Sequence, residues 1–492
     1  MAEIFNEQRK RGIVIVPDGT AIYNNQPVIG LREASDGVLF IDNQRVLGVQ
    51  VIEDGSTIWN EQPVVGAVMI EDGRTMYNGK PVTPSAGGGV TPNKLPFGLP
   101  VVFAGDSITA QNFAASATVS NLMGRGAYVW GMTLAGQPMR LFTGSNAGIG
   151  GNTSAQLRAR YVADVIDKAP AIVNLAIGTN DLASMLASET IANIQWMLDQ
   201  NDMIGAHTFL VKILPRGSVA APMNSTQLAN WMAVNEWISG RSSKNVTVLD
   251  LESSVGSLDA NHTMRDGLSG SADYLHPNQL GAYLIGKMWA QQVAGKIDDG
   301  SILDTENNAL GNLASNGFFT GTGGTIANAT GVVANSWIGQ GSTAGGATVA
   351  YSKVARLDGL GEWQQAQATG TYTGAGKVLR INRALAVQTL VAGDVVRGFC
   401  EIELDAGSVG LLQMRMDTDF GAAGRMTTLK ETANEFASDE AWSGVLATMP
   451  FVLASTPTNC NIDIGALLKT TATTDPISCK FRVGRFRIEK VD

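Results

Sequence analysis

Val101-Val102-Phe103-Ala104-Gly105-Asp106-Ser107-Ile108-Thr109 is the stretch on which the fold of this chain turns. Pro100 to Ala104 is a short apolar run of the kind that forms a buried strand. The strand gives way to Gly105, whose backbone freedom permits a sharp turn that would expose Ser107. Loops at the carboxyl ends of strands in an α/β sheet are where ligands bind. Taken alone, Gly-Asp-Ser is a common turn tripeptide and carries no chemistry.

Downstream, apolar runs alternate with helical patterns. Thr153 to Lys168 reads as a helix and Ala171 to Ile177 as a buried strand. Ser188 to Gln200 reads as a helix capped by Ser188, and His207 to Leu214 as a strand. Ser225 to Arg241 is an amphipathic helix, Val246 to Leu251 a strand, and Pro277 to Ala294 a helix opened by proline. Strands alternating with helices imply a parallel sheet covered on both faces. The stretch between Gln111 and Gly144 shows no pattern and is expected to shape a cleft.

Three further blocks fall at strand ends or loops of this region. Asn146-Ala147-Gly148-Ile149-Gly150-Gly151-Asn152-Thr153 leads into a helix, where backbone N–H groups can receive a negative oxygen. The bland alternative is a glycine loop used for tight packing. Ile177-Gly178-Thr179-Asn180-Asp181 follows a strand, so the Asn180 amide can face an oxyanion. Asp181 is better read as a structural cap. In Asp273-Tyr274-Leu275-His276-Pro277, an Asp and a His three residues apart can share a hydrogen bond that orients the imidazole. The chain has three histidines. His207 begins a strand and His262 lies in a polar loop, which leaves His276 as the candidate base.

In order and spacing, the four blocks resemble the SGNH (GDSL-type) hydrolases, over about 200 residues of the middle of the chain. The resemblance implies an α/β/α hydrolase domain with Ser107 as nucleophile and His276 and Asp273 completing the catalytic triad. It also implies an oxyanion hole made by Ser107, Gly151 and Asn180. Ile-Thr follows the nucleophile where Leu-Ser is commoner, and Gly150 and Asn152 stand where Ser and Asp are often seen. The reaction implied is ester hydrolysis with no metal and no organic cofactor. The substrate-binding residues are not specified.

The flanks have a different character. Before the middle region, Asp-Gly pairs recur every 18 residues, at Asp18, Asp36, Asp54 and Asp72. Each is followed five positions later by Tyr23, Ile41, Trp59 or Tyr77. This is expected to give a β-meander of about eight short strands, two per repeat. The four aspartates read as turn residues rather than calcium ligands, because no ligand-dense loop surrounds them. Residues 1–83 are thus a β-repeat stalk or attachment domain, 84–95 a Gly/Pro/Ser-rich linker, and 96–298 the hydrolase domain. Residues 301–492 are rich in Gly and Thr with alternating strands, such as Val395 to Leu404 and Lys480 to Lys490. They read as a jelly-roll-like β-sandwich for carbohydrate binding or trimerisation. Phe318, Trp337 and Trp363 give this segment a loose similarity to jelly-roll carbohydrate-binding modules. Trp337 and Trp363 read first as core, and otherwise as sugar-stacking platforms.

Composition bounds the partners. The 492 residues suit about three domains. Net charge is −9, so nucleic acid is not an expected partner. No run is long and apolar enough to insert in a membrane, and the N-terminus lacks the features of a signal peptide. Cys400, Cys460 and Cys479 are too few and too widely spaced for a disulfide framework, and read as buried thiols with one bridge left open. A β-repeat stalk, an SGNH domain and a sandwich together resemble a bacteriophage tail fibre or tailspike. That resemblance implies a homotrimer on the virion or in the extracellular space, joined through its N-terminal region to other virion proteins and acting on an acylated polysaccharide. A free bacterial esterase or lipase with accessory domains, and a non-catalytic receptor-binding or structural virion protein, remain as alternatives.

Overall fold

The computed structural model describes residues 94–491 apart from 271–273, 343–346, 373–376, 388, 432–439 and 469–474. Before residue 94 it describes a set of short strands. The chain divides into two compact units, Met1–Gly89 and Val90–Asp492.

In the first unit each 18-residue repeat forms its own three-stranded antiparallel sheet, as in Ile13–Ile15, Ala21–Tyr23 and Gln26–Pro27. The expectation of two strands per repeat therefore missed one. The third strand pairs antiparallel with the second, with Tyr23 opposite Gln26 and Tyr77 opposite Lys80. The prolines sit in these outer strands, where a missing N–H costs no ladder bond. Residues 84–93 of the expected linker lie outside the described residues, and Leu95 near its end bridges to Ile297.

The second unit is built on a parallel sheet. Its strands are β1 (Leu99–Gly105), β4 (Met139–Arg140), β5 (Asn146–Gly148), β6 (Ile172–Ala176), β7 (His207–Val211) and β8 (Val246–Leu249). The order is β4-β1-β6-β7-β8, with β5 also pairing with β1. Side chains alternate between the faces. Val101 and Phe103 face the core that holds α2 (Ala127–Leu134) and α7 (Gln279–Ala294). Val102 and Ala104 face the core that holds α3 (Ser154–Asp164), α4 (Ala187–Met203) and α5 (Ser225–Ser239). Both faces are buried, so the strands read as apolar runs rather than alternating ones.

Three helix starts differ from expectation. Ser188 lies inside α4, and the turn before it is held by Leu186 N–H donating to Glu189 at 3.0 Å. Asn278, not Pro277, caps α7, accepting the Gly281 N–H at 2.9 Å. The stretch after Gln111 holds α2, which shows no helical periodicity because nearly every side chain in it is buried. A side chain at Gly286 would collide with the Ala127 carbonyl and the Trp130 side chain, so glycine is what lets α7 close on α2.

The same stretch also holds β2 (Phe113–Ala115) and β3 (Val119–Met123), which leave the parallel sheet altogether. They join an eight-stranded sheet, with β3 running parallel to Arg425–Lys430. A seven-stranded sheet covers this one, and Ile381, Met416 and Ile464 share one core with Ile402, Phe481 and Val483 across the sandwich. That core is continuous with the α2–α7 face. Trp130 packs edge-on against Tyr283 at 5.2 Å and against Trp442 at 5.3 Å. Gln137 Nε2 donates to the Val445 carbonyl at 2.7 Å. Residue 300 is therefore not a domain break. The β2–β3 hairpin completes the sandwich, and the two halves bury each other's apolar surface.

In the sandwich Trp337 is fully buried against Phe319 at 4.5 Å. Trp363 is half-buried with the Arg356 guanidinium 4.1 Å over its ring, which leaves that face closed to a sugar. Cys400, Cys460 and Cys479 are buried free thiols. Among the described residues no helix is long and apolar enough to cross a membrane.

Candidate active site

Ser107 opens α1 (Ser107–Ala110), two residues beyond the end of β1. The turn is tight: a side chain at Gly105 would collide with the Ala176 carbonyl and the Thr109 hydroxyl. Asp106 caps the turn, its carboxylate accepting the Ile108 N–H at 3.0 Å. Asp106 is buried, and burial pushes its carboxyl up to about 7, against the pull of the Ile108 N–H and the charge of His276.

His276 arrives on the loop before α7. Its carbonyl accepts the Gly270 N–H at 3.0 Å and the Ser269 hydroxyl at 3.1 Å, which fixes the loop. Its Nε2 lies 2.8 Å from Ser107 Oγ. With the ring proton on Nδ1, the hydroxyl donates to Nε2, the geometry a general base needs to activate a nucleophile. Asp273 lies outside the described residues. The other two histidines bond elsewhere: His207 Nε2 to Thr247 at 2.9 Å and His262 Nδ1 to Glu252 at 2.5 Å.

The remaining candidates gather at the same sheet edge. Gly151 has a left-handed backbone, φ +78°, in the turn between β5 and α3. Asn180 Nδ2 donates to the Asn152 carbonyl at 3.0 Å, joining the loop after β6 to the Gly151 turn. A primary amide has two N–H donors, and among the described residues Asn180 uses one of them in this bond. Asp181 is buried and accepts the Ser154 N–H at 2.9 Å as well as the hydroxyls of Ser154 and Thr190. It anchors the start of α3, in keeping with a structural role.

Sequence reading missed two residues that brace this edge. Asn112 is buried; its Nδ2 donates to the Ile108 and Thr109 carbonyls, and its Oδ1 accepts the N–H groups of Tyr128 and Val129. It closes α1 and caps α2 at once. Arg160 on α3 donates to the Gly105 carbonyl and the Asn152 side chain. Neither sits in a recognisable motif.

A cleft of about 330 Å³ opens beside the Ser107–His276 pair. Its walls are Ser107, Gln111, Arg125, Gly270, His276, Pro277, Asn278 and Glu431. Glu431 comes from the sandwich, so both halves of the unit reach the cleft. Among the described residues no cluster of His, Cys, Asp and Glu is arranged to hold a metal.

Comparison with solved structures finds similar chains that cover about two fifths of this one. A lipase/acylhydrolase from Enterococcus faecalis is 19% identical, with 41% of this chain and 99% of that one covered and a TM-score of 0.33. An acetylxylan esterase from Geobacillus stearothermophilus is 22% identical, with 41% and 96% covered and a TM-score of 0.33. A GDSL-like lipase from Bacteroides thetaiotaomicron is 19% identical, with 40% and 87% covered and a TM-score of 0.31. No curated protein matches the chain. The segment that carries Ser107, Gly151, Asn180 and His276, residues 103–284, matches the model of the GDSL-like Lipase/Acylhydrolase family.

Proposed function

We propose that the middle of this chain is a serine ester hydrolase. The observation that carries the reading is the 2.8 Å approach of His276 Nε2 to Ser107 Oγ at the carboxyl edge of a parallel sheet. Ser107 Oγ attacks the acyl carbonyl carbon while His276 takes the hydroxyl proton. The carbonyl oxygen becomes an oxyanion held by the backbone N–H groups of Ser107 and Gly151 and by the Asn180 amide. His276 then returns its proton to the leaving alkoxide. Water attacks the acyl-enzyme with His276 again as base, and the acid departs. Asp273 is assigned the orientation of His276 by sequence spacing alone.

The cleft walls favour a short acyl group on a polar carrier. Gln111, Arg125, Asn278 and Glu431 are polar side chains that could meet hydroxyl-rich sugar. We therefore assign O-acetyl groups of a bacterial surface polysaccharide as the substrate. By the resemblance of its β-repeat stalk and terminal sandwich, we place the protein in a phage tail fibre or tailspike, a homotrimer held to other virion proteins through its first unit. Ser107→Ala should abolish hydrolysis of a short nitrophenyl ester with the fold intact; retained turnover would defeat the hydrolase reading. Acetate release from candidate polysaccharides tests the substrate, and a rate below that on the small ester for every polymer would remove the polysaccharide assignment.

A further inference from the structure

Arg160 lies on α3, and its side chain is 17% exposed. Its guanidinium makes three kinds of bond. Nη1 donates to Asp164 one helical turn on, at 2.7 Å. Nη2 donates to the Gly105 carbonyl at 3.2 Å, two residues before Ser107. Nε donates to Asn152 Oδ1 at 2.9 Å. Asn152 in turn accepts Asn180 Nδ2 on its own backbone carbonyl, at 3.0 Å. One planar cation thus ties the strand end that presents the nucleophile to the loop that presents Gly151, and through Asn152 to the Asn180 amide. These three segments are far apart along the chain and supply the three oxyanion donors assigned above.

We propose that Arg160 is a positioning residue that sets the spacing of the oxyanion donors. It does not touch the reacting atoms. The inference rests on the hydrolase reading and on the oxyanion assignment within it. The physical basis is the fork of guanidinium donors, fixed in one plane, which meets two neutral oxygens from different loops while Asp164 holds its remaining side. A lysine carries the same charge on one nitrogen and cannot span both. Donors held by such a bracket need no reorganisation when charge develops, and a misplacement on the order of 1 Å costs about 10²-fold in rate.

The test is steady-state hydrolysis of nitrophenyl acetate by the full chain and its variants Arg160→Met, Arg160→Lys, Asn180→Ala and the double variants. Arg160→Met is expected to lower kcat by about 10- to 100-fold, with KM changed by less than about threefold. Arg160→Lys should fail to restore kcat, because charge without the fork does not hold the bracket. In the Asn180→Ala background, either Arg160 change should cost several-fold less than in the parent, because one of the three donors it spaces is gone. The same loss in both backgrounds, or restoration of kcat by lysine, would overturn the proposal and leave the hydrolase reading standing. An unchanged kcat in Asn180→Ala would instead remove the oxyanion assignment, and this proposal with it. If Arg160→Met does not fold, as judged by circular dichroism, the lysine pair carries the same comparison.

Discussion

Replacing Asp106 by asparagine should stabilise this protein at neutral and alkaline pH, although it alters the residue beside Ser107. Asp106 is buried and makes one described side-chain bond, accepting the Ile108 N–H. Asparagine presents the same acceptor oxygen and is an equally good cap. What it removes is the cost of ionising a buried carboxyl. In the folded chain that carboxyl is pushed up to about 7, whereas its ordinary value is 3.8. Below pH 3.8 the group is protonated both folded and unfolded, and burial of its charge costs nothing. As pH rises, the unfolded chain ionises first and is favoured, so the parent protein loses stability until the folded carboxyl also ionises near pH 7. At 1.36 kcal/mol for each tenfold difference in proton affinity, the full loss is about 4 kcal/mol. Relaxation around the charge will bring the measured value below that ceiling. Urea unfolding of parent and variant, followed by tryptophan fluorescence at pH 4 and pH 8, reads the difference. The two should be close at pH 4, with the variant more stable by about 2–4 kcal/mol at pH 8. A variant less stable at pH 8, or a difference that does not change with pH, would refute the reasoning.

Other consequences follow from single contacts. Asn180→Ala should lower kcat on a short ester by about 10²–10³-fold with little change in Tm, read by steady-state kinetics and thermal melting. Asn112→Ala strands two N–H groups and loosens two carbonyls at the junction of α1 and α2, so unfolding free energy should fall by about 2–4 kcal/mol in urea titrations. Truncating the chain after residue 300 would expose β3 and the Trp130 ring, which pack on Arg425–Lys430 and Trp442. The fragment should aggregate or lose its near-ultraviolet dichroism, and a soluble, active fragment would show that the sandwich is dispensable.

The sequence made the parallel sheet and its edge legible because the candidate residues sit near strand ends, where each short motif is local. Ser107, Gly151, Asn180 and His276 could all be named from their neighbours. The bracing residues could not. Asn112 bonds across 16 residues and Arg160 across 55, and nothing near either in sequence announces the partner. The helix Ala127–Leu134 was hidden by its own burial, since periodicity signals one wet face and it has almost none. The passage of β2 and β3 into the sandwich was hidden for a related reason. A parallel pairing between Val119 and Arg425 joins segments some 300 residues apart and leaves no mark on either. The repeats near the N-terminus were visible as a period, but their third strands are only two residues long, too short to carry an alternation.

The central claim is that Ser107 is a nucleophile activated by His276. Incubating the full chain with a fluorophosphonate and digesting it for mass spectrometry tests this directly, because the reagent forms a covalent bond only with an activated hydroxyl. One adduct per chain on the peptide containing Ser107, formed far more slowly in His276→Ala, is the expected result. An unlabelled Ser107, or labelling that proceeds at the same rate without His276, would contradict it.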